Sequence, residues 1–110
     1  MKNYIKPGNV LTMIAPTGGV VSGSLYEHGT IVGVATGPAA EGEEYELSVN
    51  GVFELAKTAA QAWAVGDAIY RDSATGLATS VATANTKCGV AVAAAANPSG
   101  TGLVRLNGSF

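Results

Sequence analysis

Charge is scarce in this chain, and histidine, cysteine and tryptophan each occur once. Asp, Glu, Lys and Arg together make up 13% of the 110 residues, against about 25% in an average soluble domain. The six Lys and Arg residues are scattered from Lys2 to Arg105 and the net charge is -2. No basic stripe exists to neutralise a phosphate backbone, which argues against a nucleic-acid partner. A single cysteine, Cys88, excludes an intrachain disulfide. The longest apolar run, Gly89 to Ala96, falls far short of the roughly 20 residues of a membrane helix. Met1 to Gly8 lacks the apolar stretch of a signal peptide, so this reading predicts a soluble protein made in the cytoplasm.

The same scarcity narrows the chemistry. Any Ser-His-Asp or Cys-His arrangement must use His28, and a zinc site would have to combine His28, Cys88 and carboxylates. His28 falls in an expected loop beside Glu27 and Gly29, where an exposed imidazole is the simplest reading. Cys88 sits in an apolar run, as a small buried residue would; as a nucleophile it would need His28 within hydrogen-bond distance. Glu41, Glu43, Glu44 and Glu46 are half of the eight acids, but their spacing is not that of a calcium loop, and they read as a solvated acidic face. Asp67 and Asp72 occupy turn positions, where Asp bonds local backbone N–H groups. No glycine motif leads into a helix bearing Lys-Ser/Thr, so no phosphate loop is present. The residues predict no catalytic group, no metal and no cofactor.

What the chain has in quantity is glycine, 15 residues of it, spaced as though one pattern were written twice. Gly8 pairs with Gly66, Gly19 with Gly76, Gly33 with Gly89 and Gly51 with Gly108, at offsets of 58, 57, 56 and 57 residues. Thr30-Ile31-Val32-Gly33-Val34-Ala35 is answered by Thr86-Lys87-Cys88-Gly89-Val90-Ala91, and Val49-Asn50-Gly51-Val52-Phe53 by Leu106-Asn107-Gly108-Ser109-Phe110. Repetition of turn glycines points to duplicated architecture rather than to a reactive centre.

Strands are expected at Val10 to Ile14, Val20 to Leu25, Thr30 to Thr36 and Glu43 to Asn50. The second half answers with Ala68 to Arg71, Leu77 to Val81, Lys87 to Ala93 and Gly102 to Leu106. Tyr45, Leu47 and Val49 alternate with Glu44, Glu46 and Ser48, the period of a half-buried strand. Phase is kept between halves: Leu47 and Val49 align with Val104 and Leu106, while Ser48 aligns with Arg105. Between the halves, the Ala-rich segment from Lys57 to Ala64 predicts a short helix near residues 58–63, capped by Thr58. The expectation is a single all-β domain over residues 1–110, a small β-barrel or sandwich. It has an N-terminal arm over 1–8 and similar halves over about 7–55 and 65–110.

Three residues stand out as candidate contacts with a partner or a second copy. Trp63 is either core at the junction of the halves or a binding anchor, since tryptophan is enriched where interfaces concentrate their energy. Tyr4 and Ile5 are either tied to a sheet edge or carried on an arm that reaches a neighbour.

Met1-Lys2-Asn3-Tyr4-Ile5, Gly51 to Lys57, Ala62-Trp63, Gly66 to Tyr70, Gly89 to Ala93 and Val104 to Gly108 together resemble the DUF2190 family of tailed-phage and prophage proteins. Its members are regarded as capsid cement, or head decoration, proteins. The resemblance runs nearly end to end, with Leu25 to Thr36 contributing little. It implies a small β-rich fold, some relatives being β-tulips, and a dimer or trimer that docks on the major capsid protein at the outside of the virion head. It carries no catalytic motif and transfers no contact residue. A tail or fibre component, or a host-surface glycan-binding module displayed on the virion, is the alternative.

Overall fold

Branched and aromatic residues between turn-forming glycines set the architecture. The computed structural model describes residues 8–107, and within them nine strands form two sheets with no helix. The first sheet is built from β1 (Val10–Ile14), β2 (Leu25–His28), β3 (Ile31–Ala35) and β4 (Glu44–Ser48), in the order β1-β4-β3-β2. The second holds β5 (Asn50–Ala56), β6 (Ala68–Arg71), β7 (Ala78–Thr79), β8 (Thr86–Ala91) and β9 (Thr101–Asn107), in the order β5-β9-β8-β6-β7. The second sheet curls as a half-barrel until its edge strands approach. There Lys57, just past β5, makes a parallel bridge to Ala78 of β7.

Alternation places the core. Leu25, Val32 and Val34 of the first sheet join Leu55, Ile69, Cys88, Val104 and Leu106 of the second in one buried cluster. The other face of the first sheet, with Ala35, Tyr45 and Leu47, gathers Ala15, Val20 and Val49 into a separate cluster. Each fully buried Leu, Ile or Val contributes roughly 1.5–3 kcal/mol, and Leu47, Ile69, Val104 and Leu106 are 0% exposed. Polar groups also join the sheets. Arg71 Nη1 meets Glu27 Oε1 at 2.9 Å, Arg71 Nε donates to Leu25 O at 3.2 Å, and Thr86 Oγ1 donates to Glu27 Oε2 at 2.9 Å.

The β3–β4 and β8–β9 pairs share a register. Val34 faces Ser48 and Ala35 faces Leu47, while Val90 faces Arg105 and Ala91 faces Val104. In both pairs a glycine lets the backbones close up: a Cβ would stand 2.5 Å from Ser48 O at Gly33 and 2.0 Å from Arg105 O at Gly89. The flanking strands differ, since β1 lies beside β4 whereas β6 lies beside β8. Gly108, paired with Gly51 in the sequence pattern, lies outside the described residues.

Several elements depart from the sequence reading. The helix expected near residues 58–63 is not formed. Lys57 and Trp63 are both held in β-bridges, to Ala78 and Ala95, and the residues between them are too few to repay helix nucleation against those anchors. The strand expected at Val20 to Leu25 is displaced: Val20 makes only an isolated bridge to Ala39, and pairing resumes at Leu25 after a turn at Gly23 with φ of 83°. Glu43 to Asn50 is not one strand, because the chain leaves the first sheet after Ser48 and enters the second at Asn50, with buried Val49 between. Strand β5 was not anticipated as a separate element.

Candidate docking surface

The groups that could carry chemistry each sit in a structural contact. His28 Nε2 is hydrogen-bonded to Tyr45 Oη, and Tyr26 meets the Tyr45 ring edge-on at a centroid distance of 6.2 Å. Burial, followed by the nearby Tyr26, raises the Tyr45 phenol above its ordinary pKa. Cys88 belongs to the core between the sheets, where Sγ donates to Ile69 O at 3.5 Å. Burial pushes the thiol up to about 12, so it stays protonated at neutral pH, whereas the thiolate is the nucleophile. Among the described residues, no group of three or more His, Cys, Asp or Glu side chains is arranged to hold a metal ion.

The acids hold loops and, at Glu46, a cross-strand pair. Glu41 Oε1 accepts Gly18 N at 3.1 Å, Glu43 Oε1 accepts Ala40 N at 2.8 Å, and Glu46 Oε1 accepts Thr12 Oγ1 at 2.9 Å. Asp67 Oδ2 accepts Ala64 N, while Asp72 Oδ1 accepts Ala74 N and Thr75 N. These are the local turn bonds that short acidic side chains favour.

Trp63 is 3% exposed and lies in the core of its own chain. A Cβ at Gly102 would stand 2.3 Å from the indole Cζ3, so a glycine on β9 makes room for the ring. Gln61 holds the indole in place: Oε1 accepts Trp63 Nε1 at 3.2 Å and Ser80 N at 3.0 Å, and Nε2 donates to Thr79 Oγ1 at 2.7 Å. Beside it lies Lys57, also 3% exposed, with its ammonium 5.5 Å from the centre of the Trp63 ring. Lys57 Nζ donates to Thr58 O at 3.0 Å, to Gln61 O, and to Ser99 O at 3.4 Å. Sequence reasoning missed Lys57, because nothing local distinguishes a buried lysine from a solvated one. Tyr4 and Ile5 lie outside the described residues.

Part of the exposed apolar surface lies on the outward face of the second sheet. Strand β9 buries Gly102, Val104 and Leu106 and turns Thr101, Leu103 and Arg105 outward. Leu103 is 39% exposed, Val52 on β5 is 57% and Val92 just past β8 is 36%. Register sets them side by side: Val52 faces Arg105, Glu54 faces Leu103, and Val92 N donates to Leu103 O at 3.1 Å. Isolated exposed valines are ordinary, but several on adjacent strands, interleaved with Arg105 and Glu54, make a mixed apolar and charged face that suits contact with another protein. The kept phase of Val104 and Leu106 was the signal in the sequence that Leu103 points out.

A family model described as phage cement protein matches residues 5–106. No curated protein matches the chain, and no solved structure does.

Proposed function

Because the chain belongs to the phage cement protein family, a family of structural capsid proteins, we propose that it binds the outside of an assembled phage head and stabilises contacts between capsomers. The observation that carries this reading is the outward β5–β9–β8 face with Val52, Leu103 and Val92 exposed. Internal DNA pressure pushes capsomers apart, and a small rigid domain straddling their boundary resists that. A standard interface of about 1,600 Å² in total is enough for specific binding. Engaging several capsid subunits, as a dimer or trimer, multiplies modest contacts into avidity. Ala, Val, Gly and Thr lose little side-chain entropy on docking. In this reading Tyr4 and Ile5 are arm contacts, while Trp63 shapes the domain and does not touch the head. The reading contains no catalytic step.

Co-sedimentation with undecorated heads, followed by electron microscopy, tests it. Full-length protein is expected to coat heads. A Val52→Asp, Leu103→Asp variant that keeps its fold is expected to stay in the supernatant, and so is a chain lacking residues 1–6. Wild-type coating by the double variant removes the sheet face from the reading, and wild-type coating by the truncated chain removes the arm.

A further inference from the structure

Where the two sheets meet, the surface opens into a cleft of about 230 Å³. Residues 23–26 at the start of β2, Leu55 and Ala56 of β5, and Arg71 with the 75–77 turn line it. Ser24, Arg71 and Thr75 give it side chains able to donate hydrogen bonds, Tyr26 turns its ring to the other face of the first sheet against Tyr45, and no carboxylate contributes to the wall. Thr75 Oγ1 already accepts Leu77 N at 3.3 Å. Its hydrogen remains to be given elsewhere.

Arg71 is the strongest donor of the set. Nε is committed to Leu25 O and Nη1 to Glu27, which leaves Nη2 with no hydrogen-bond partner among the described residues. Nη2 lies over Gly76, where a Cβ would stand only 3.3 Å away and φ is +76°. Glycine at this position therefore meets both the turn's backbone and the guanidinium's space. Glu27 balances the charge of Arg71, so the pull on a ligand comes from hydrogen-bond donors lining one cleft rather than from net charge.

The geometry points to a carboxylate site: an acidic side chain of the head protein enters the cleft, its oxygens take hydrogens from Arg71 Nη2, Ser24 and Thr75, and its methylenes rest on Leu25 and Leu55. A cleft of this volume admits one side chain and excludes a helix or a folded strand. The guanidinium edge offers only N–H groups, which a carboxylate can meet with both oxygens and an amide with one, so the site favours the acid over its amide. The inference rests on the family reading for the source of the carboxylate, and on the cleft alone for its chemistry.

Titration of the ¹⁵N-labelled full chain with N-acetylglutamate methylamide, against N-acetylglutamine methylamide, tests the chemistry. The glutamate probe is expected to shift the amides of residues 23–26 and 75–77 saturably in the millimolar range, with the glutamine probe at least fivefold weaker. A Ser24→Ala, Thr75→Val variant, which leaves the Arg71–Glu27 pair untouched, is expected to lose at least fivefold in glutamate affinity. Equal response to both probes, or none at these residues, overturns the site. The source is tested by head co-sedimentation of the same double variant, expected to need at least tenfold more protein for half-coating. Half-coating at the wild-type concentration overturns the assignment of the carboxylate to the head. The arm truncation and the Val52→Asp, Leu103→Asp variant judge the family reading separately.

Discussion

Replacing Lys57 by Met removes one ammonium while keeping the stem that fills the junction. Lys57 is 3% exposed, and among the described residues no carboxylate pairs with it. Its charge is met instead by the carbonyls of Thr58, Gln61 and Ser99 and by the face of Trp63. Two effects oppose each other. The variant is spared the desolvation of a buried ammonium, several kcal/mol. It also loses charge-assisted bonds, each worth about 1.5–3 kcal/mol, and leaves carbonyls behind at about 1–3 kcal/mol each. Loss of the cation–π contact adds about 1 kcal/mol. Thr58, Gln61 and Ser99 are half-buried, so water relieves part of the carbonyl term. The balance is a destabilisation of about 2–3 kcal/mol, which at about 4–8 °C per kcal/mol lowers Tm by roughly 10–20 °C. Calorimetry reads the global effect. The emission of Trp63, the one tryptophan, reads the junction, with a red shift expected. Equal or higher stability of Lys57→Met would refute the reasoning, by showing that desolvation outweighs every bond the ammonium makes.

Gly89→Ala places a methyl group against Arg105 O and is expected to cost about 1–3 kcal/mol or more in urea unfolding, with Gly33→Ala behaving alike through Ser48 O. Cys88 should resist Ellman's reagent at pH 8 in the native state and react on unfolding, so rapid native labelling would contradict its burial. Because the folded thiol titrates near 12 rather than at its ordinary 9.0, the unfolded chain releases this proton first. Stability owed to Cys88 is therefore full below pH 9 and declines as pH rises toward 12, visible as the difference between the wild type and Cys88→Ala. A double-mutant cycle on Glu27→Gln and Arg71→Lys should show coupling of about 1–3 kcal/mol; additivity would mean that the pair does not join the sheets.

Much of the architecture was legible wherever local pattern and tertiary placement agree. Val10–Ile14 is a strand with the limits its sequence suggests, and the alternation of Tyr45 and Leu47 marks the buried face of β4. Pattern failed where a distant contact decides. Alternation continues smoothly through Ser48, Val49 and Asn50, so nothing local announces that the chain changes sheets there. The Ala-rich stretch after Lys57 has helical propensity, but that preference is a few tenths of a kcal/mol per residue, weaker than the bonds Lys57 and Gln61 make to it. Arg71 and Glu27 lie 44 residues apart in the chain, and their meeting leaves no spacing to read. The cleft donors were invisible for the same reason: Ser24 and Thr75 read as strand and turn residues until the fold brings them to one cleft.

Strands β1 and β9 are fixed very differently. Among the described residues, the former is a rim strand with β4 as its sole ladder neighbour, whereas the latter is flanked by β5 and β8. Tension entering through β1 can therefore peel one ladder open, while tension entering through β9 must rupture two together. In single-molecule pulling, a handle at β9 should hold to higher force than one at β1, which makes the front of the chain the part that yields first under load.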